Sequence, residues 1–378
     1  MSFELTEEQL MIQLMVRDFA RKEVEPVAAE NDKKKTFPKK IIAKMGELGL
    51  LGMMIPEEYG GSGVGAVAYV LAMQEIAAAC ASTAVTMSVT NLSGSPILEF
   101  GTEEQKRKYL VPLASGQKIG AFAITEPGTG SDASSVSTKA VKKGNKYILN
   151  GAKNFITNGS YADTFIVIAR TSSEQKIRGL SAFIVERGMP GFEIGREEDK
   201  MGLRASSTVQ LAFDDCEVPA ENLLGMEGEG FKIAMTALDS GRIGISSQAV
   251  GIARAALHEA IEYAATRKQF GRALSRNQAI QWMIADAERD IEAAHLLALS
   301  AASSKDRKLP FTREASIAKL FASEAAVRIT YDSLQIHGGY GYTKEYKIER
   351  LYRDARVTTI YEGTSEVQRI VIAKHALV

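Results

Sequence analysis

Cysteine is nearly absent: Cys80 and Cys216 are the only two in 378 residues, far apart and in no metal-binding spacing, which suits a reducing compartment. The four histidines, His258, His295, His337 and His375, are scattered without a paired-ligand pattern, so no zinc or iron site is expected. Charge of one sign is also missing. Lys plus Arg and Asp plus Glu number 46 each, so nothing favours nucleic acid or an anionic membrane. The longest apolar runs, such as Ala77 to Ala81, fall well short of a spanning helix. The N-terminus opens on a capping box, Thr6 to Gln9, and an amphipathic start at Leu10, Met11, Leu14 and Met15 rather than on a targeting signal. A cytoplasmic protein with no membrane segment is expected.

What is present is the composition of an ordinary globular protein, 45% hydrophobic and 24% charged, in a chain long enough for two or three domains. The first part, residues 1–118, reads as helical. Pro38 opens a helix with Ile41, Ile42, Met45 and Leu48 on one face, and Gly49 is placed to stop it. The nearly uncharged run from Ala66 to Ala81 suits an inner helix, another helix follows to about Phe100, and Thr102 to Gln105 is a further capping box. Residues 119–228 change character. Gly120–Ile124, Tyr147–Leu149, Thr164–Ala169, Ser181–Val185 and Val209–Phe213 are β-type runs, and Gly144-Asn145 sits where a hairpin turn belongs. No crossover helix lies between them, so an antiparallel barrel or sandwich is predicted. Residues 229–378 return to long helices, roughly 230–266, 277–304 and 311–335, which suit a four-helix bundle. The predicted fold class is therefore α+β and multidomain, in the order α, β, α.

Several punctuating stretches carry chemistry only weakly when read singly. Thr125-Glu-Pro-Gly-Thr-Gly-Ser-Asp132 follows a strand and can present N–H groups to an anion or a flat ring, or be a plain loop. It lacks both the Gly-Lys-Ser/Thr ending of a P-loop and the third glycine of a dinucleotide turn. Asn154 to Gly159 reads as a strand ending in a turn, and Arg267 to Arg272 as a basic break between helices. Gln335-Ile-His-Gly-Gly-Tyr-Gly-Tyr342 has more glycine than a helix cap needs. Near the end, Ile360-Tyr-Glu-Gly-Thr-Ser-Glu-Val-Gln368 places Glu362 and Gly363 just before a helix, with Ser365 and Gln368 spaced as a capping box and Val367, Ile370, Val371 and Leu377 repeating at helical spacing.

Together and in this order, these motifs resemble the acyl-CoA dehydrogenase family across essentially the whole chain. Leu238-Asp-Ser-Gly-Arg-Ile-Gly244 and the closing Glu-Gly-Thr-Ser-Glu-Val-Gln-Arg look most like the short-chain, butyryl-type branch. The resemblance implies FAD held between the β domain and the C-terminal bundle, with Phe122, Ile124, Thr125, Gly130, Ser131, Phe155, Ile156 and Thr157 around its ring. Phe155 stands where members commonly carry tryptophan, which keeps an aromatic wall but removes an indole N–H. Arg267, Gln269 and Phe270 match residues that reach the FAD of a neighbouring subunit. Gln278, Gln335, Gly338, Gly339, Thr364 and Glu366 match further cofactor contacts, the last two at a helix start that favours phosphate.

On the substrate side, Ser131, Asp239, Arg242, Tyr361 and Gly363 match positions along the CoA thioester, and Glu362 matches the base that removes the α-proton. The resemblance further implies that a hydride leaves the β-carbon for flavin N5, giving a trans-2-enoyl-CoA. It implies that electrons then pass to electron-transfer flavoprotein, and that the enzyme is a homotetramer, a dimer of dimers. Gly241 occupies the position that supplies the base in isovaleryl-type members, and Ala84 the position of an arginine in those that oxidise glutaryl-CoA. A neutral acyl chain is expected. Oxidases of this chemistry are usually much longer, and the DNA-binding branch adds basic C-terminal structure that a chain of zero net charge does not show.

Overall fold

The computed structural model describes residues 4–173 and 175–377. Its first part is helical: α1 (Glu7–Phe19), α2 (Glu25–Lys34), α3 (Lys39–Glu47), α4 (Gly65–Ala79), α5 (Ala81–Phe100), α6 (Glu103–Gln105) and α7 (Val111–Ala114). The capping boxes at Thr6 and Thr102 both form, each with its hydroxyl accepting from the third helical N–H while the Gln side chain accepts from the cap. α3 buries Ile41, Ile42 and Met45 and gives way to Gly49 at φ +74°, though Leu48 turns outward. On α1 the buried face is Val16 and Phe19, so Leu10, Met11, Leu14 and Met15 are exposed. α4 and α5 are buried almost throughout, as their scarcity of charge requires.

The sheet comprises β1 (Gly120–Ala123), β2 (Lys139–Lys143), β3 (Lys146–Thr157), β4 (Thr164–Arg170), β5 (Leu180–Glu186), β6 (Phe192–Glu197), β7 (Thr208–Pro219) and β8 (Leu223–Leu224). Its order is β6-β7-β3-β2-β4-β5-β8, with β1 alongside β4. β4 is apolar on both faces: Phe165, Val167 and Ala169 join one core, while Ile166 and Ile168 join another with Leu92 and Ile97 of α5.

Most pairs are antiparallel, including the β2–β3 hairpin at Gly144-Asn145. The expectation of a purely antiparallel sheet is corrected at β1, which pairs with β4 in parallel, and at a single parallel bridge between β2 and β4. A parallel pair needs a crossover, and here the β2–β3 hairpin and its loops supply the length that a helix usually provides.

The C-terminal part holds α8 (Gly230–Thr266), the small hairpin β9 (Lys268–Gln269) and β10 (Arg272–Ala273), α9 (Gln278–Asp306), α10 (Thr312–His337), α11 (Lys347–Ala355) and α12 (Ser365–Ala376). α8, at 37 residues, is about 55 Å long and packs against α4, α5, α9 and α10. Its alanines at 249, 253 and 256 let the neighbouring helices approach closely. Ile233, Ala234 and Ala237 of α8 meet the β4–β5 face of the sheet, so sheet and bundle share one core there. No helix among the described residues is long and apolar enough to cross a membrane.

Candidate active site

A cavity of about 380 Å³ opens where sheet, bundle and α5 converge. Two helices line it with one face each: Val85, Val89 and Leu92 of α5, and Phe231, Met235, Leu238, Arg242 and Ile245 of α8, all at three- or four-residue spacing. β1 delivers Phe122 and, just past its end, Ile124 and Thr125; β3 delivers Phe155, Ile156 and Thr157. The register of β3 against β7 shifts between Lys153 and Ile156, and Phe155 takes φ +56° within that irregularity. The bulge turns the ring out of the ladder, leaving it 61% exposed beside the cavity.

The loop 130–134, Ile177 and Val367 add to the wall, and the turn Tyr361-Glu362-Gly363 closes it. Glu362 and Gly363 are both left-handed, at φ +54° and +89°. For a glutamate this conformation is unfavourable, and the surroundings hold it. The Tyr361 hydroxyl donates to Gln248 Oε1, and Gln248 Nε2 donates in turn to the Ala81 carbonyl at 2.8 Å. The Gly363 carbonyl accepts from Lys319 Nζ at 2.7 Å and from Gln368 Nε2 at 2.9 Å, which also reaches the Glu362 carbonyl at 3.1 Å.

The expected capping box at Ser365 is corrected here. Thr364 is the cap, its hydroxyl accepting from the Val367 N–H at 3.3 Å, because the left-handed pair brings the chain into extended geometry one residue earlier. Gln368, freed from a box, turns back onto the carbonyls.

The Glu362 carboxylate has no hydrogen-bond partner at Oε2, which is fully buried although the residue as a whole is only half-buried. Burial pushes its carboxyl up to about 7, against the pull of Arg242 and Lys319. A Cβ at Gly241 would lie 2.5 Å from Oε2, so the glycine on α8 is what leaves room for the carboxylate. Arg242 itself is committed to Asp239, whose Oδ1 accepts at 2.5 Å and whose Oδ2 accepts from the Thr312 hydroxyl at 2.5 Å.

A second glutamate braces the loop on the opposite wall. Glu126 accepts from the Ser137 N–H and hydroxyl at 2.7 and 2.6 Å, from the Thr138 N–H and hydroxyl at 2.9 and 2.5 Å, and from Lys153 Nζ at 2.9 Å. Burial alone would raise its carboxyl, but Lys153 and these donors hold it down at about 2. Lys153, wholly buried and also donating to the Ile124 carbonyl at 3.1 Å, ties β3 to the segment that carries Ile124 and Thr125.

Family models match in three consecutive pieces: residues 6–117 match the acyl-CoA dehydrogenase N-terminal domain, 121–216 its middle domain and 228–377 its C-terminal domain. The chain belongs to the acyl-CoA dehydrogenase family. It is 50% identical to the short-chain specific acyl-CoA dehydrogenase of Clostridium acetobutylicum, over 99% of each chain. The butyryl-CoA dehydrogenase structure from Megasphaera elsdenii is 48% identical and superposes over all of both chains with a TM-score of 0.98. A chain in the structure reported for the electron transferring flavoprotein of Acidaminococcus fermentans is 52% identical, again over the whole of both, with a TM-score of 0.99.

Within this acyl-CoA dehydrogenase fold, Phe122, Ile124, Thr125, Gly130, Ser131, Phe155, Ile156, Thr157, Arg242, Tyr361, Glu362 and Gly363 all line the one cavity. Asp239 stands behind it, holding Arg242. Thr364 and Glu366 border a separate, shallower groove with Arg356 and Glu324. Arg267, Gln269, Phe270, Gln278, Gln335, Gly338 and Gly339 do not line the cavity. They cluster at the other end of α8, where the Arg267 guanidinium lies 5.3 Å from the Tyr340 ring centre and Phe270, at the hairpin tip, is fully exposed. The sequence did not single out Val85, Val89 and Leu92 of α5, the α8 lining residues other than Arg242, the Glu126–Lys153 strut or Lys319. The signal for Lys319 was available: it shares a helix face with Ala315, Ala318, Ala322 and Ala326, where a charge is out of place.

Proposed function

We propose that this chain catalyses FAD-dependent α,β-dehydrogenation of a short, neutral, saturated acyl-CoA to the trans-2-enoyl-CoA, with Glu362 as the base. The observation that carries the reading is a buried, unpartnered carboxylate oxygen beside a cavity walled mainly by apolar side chains. Such an oxygen is poised to accept a proton from a carbon acid, and its raised proton affinity matches that task near neutral pH.

The cavity is of the size that small-molecule sites have, and its wall of Phe122, Ile124, Thr125, Phe155, Ile156 and Thr157 offers aromatic and apolar faces with two hydroxyls, which fits a flat flavin ring. FAD, when bound, supplies the acceptor for the hydride from the β-carbon. The protein's own part is to hold the thioester against the last turn. Gly363 allows close approach, and the Glu362 N–H, which donates to no protein acceptor among the described residues, is available to the thioester oxygen as negative charge develops there. Val85, Val89 and Leu92 exclude water from the acyl chain.

The same reading extends to assembly. From Gly241, beneath the base, to Thr266, beside the Arg267–Phe270 hairpin, is roughly 38 Å along α8, too far for one bound cofactor to touch both. The hairpin, with the exposed Phe270 at its tip and Tyr340 beside Arg267, therefore suits contact with the cofactor of a second chain in a homotetramer, built as a dimer of dimers. Electron-transfer flavoprotein is the proposed acceptor.

Anaerobic mixing of the holoenzyme with straight, branched and cyclic acyl-CoAs of graded length, followed by flavin bleaching, tests the reaction and ranks substrates. Glu362→Gln is expected to keep FAD and lose bleaching by on the order of a thousandfold. Near-normal bleaching would remove Glu362 from the mechanism.

A further inference from the structure

We infer that Lys319 is a positioning residue for proton abstraction: from beneath the last turn its ammonium pins the Gly363 carbonyl and adds, with Arg242, to the positive field at the Glu362 carboxylate. The inference rests on Glu362 being the base.

The Lys319 side chain is wholly buried in the first half of α10, yet no carboxylate lies within ion-pair distance of it among the described residues. A buried ammonium without a counterion is costly, and its one hydrogen bond, 2.7 Å to a neutral carbonyl, does not offset that cost alone. Gln368 already donates to the same carbonyl, so pinning the peptide does not require a charge. A charge is useful there because the nearby Glu362 oxygen lacks a partner.

The groups acting on that carboxylate come from each element around it. Arg242 of α8 exerts the larger pull, although its guanidinium is also paired with Asp239 at 2.5 Å. Tyr69 of α4 and the adjacent Tyr361 are uncharged phenols, both held protonated by burial. Glu366 of α12 is anionic and exposed. Lys319 of α10 is the second cation acting on Glu362 and, unlike Arg242, has no carboxylate within ion-pair distance among the described residues, Glu366 and Glu324 acting on it only from farther off. Burial lowers it to about 8, which leaves it charged at neutral pH. It counters the desolvation that raises Glu362 without forming the direct contact that would occupy the proton-accepting oxygen.

The test reads proton abstraction apart from hydride transfer. With 3,3-dimethylbutanoyl-CoA, which has α-hydrogens but no β-hydrogen, deuterium uptake at the α-carbon from D2O is followed by NMR across pH on the FAD-loaded enzyme. Lys319→Met is expected to slow exchange several-fold, up to about tenfold, at pH 6.5 and to move the acid limb upward by about one pH unit. Lys319→Gln, also neutral, is expected to move the limb the same way and serves if the Met variant does not load FAD. An acid limb that stays where the parent's lies would overturn the inference, whatever the rate. Glu362→Gln run alongside separates the two readings: if it exchanges at the parent rate, the assignment of the base fails, whereas loss of its exchange with an unmoved Lys319→Met limb sinks only the role of Lys319.

Discussion

Two glutamates near the cavity are treated in opposite ways. Glu126, in the loop after β1, is surrounded by hydroxyls, amides and an ammonium, and its carboxyl is driven far down the scale. Glu362, in the turn before α12, has its outer oxygen buried and unpartnered, and its carboxyl is driven up. Satisfying every lone pair makes a carboxylate a strut; withholding partners from one makes it a base. The lysines follow the same division, since Lys153 touches its glutamate directly and Lys319 reaches only a carbonyl next to its own.

Breaking the strut should have the larger effect on the fold. Glu126→Gln leaves Lys153 buried without its charge partner and is expected to cost about 3–5 kcal/mol in urea unfolding, with Glu126→Gln/Lys153→Met costing less than the sum of the single changes. The two carboxylates should also respond to pH with opposite sign. Glu126 is depressed in the fold, so its stabilising contribution is complete above about 4.5 and is lost as pH falls toward 2. Glu362 is raised, so folding loses stability as pH climbs from about 4.5 through 7. Glu362→Gln is therefore expected to unfold at higher urea than the parent above pH 7, by on the order of 1–3 kcal/mol, and to show no such gain at pH 4. A smaller effect, confined to chemistry, is expected from Gly241→Ala. The new methyl would displace the far end of a flexible side chain rather than backbone, so the melting temperature should hold while bleaching slows about tenfold.

The order of elements was legible wherever one physical signal acted alone. Nearly uncharged runs became the buried α4 and α5, and the glycine and proline breaks bounded α8, α9 and α10. β2 was missed because lysines at 139, 142 and 143 hide its pattern, and β6 because only one of its faces is covered. The parallel placing of β1 depends on a pairing across some forty residues that no local pattern encodes. In the site, ordered motifs pointed to residues that line one cavity, whereas the α5 and α8 linings were ordinary apolar side chains until packing gave them a direction. The cap fell at Thr364 rather than Ser365 because two left-handed residues precede it, and a glutamate in that conformation is not something composition announces.

The exposed hairpin at Phe270 has a genetic consequence. If each hairpin serves its neighbour's cofactor, one working site draws on two copies of the chain, and a defect in either region need not be confined to its own copy. A subunit lacking the carboxylate but keeping the hairpin, paired with one lacking the hairpin but keeping the carboxylate, would rebuild one complete site from two inactive parents. Co-expression of Glu362→Gln with Arg267→Ala/Phe270→Ala should accordingly restore a fraction of the activity that neither variant has alone, in the manner of complementing alleles.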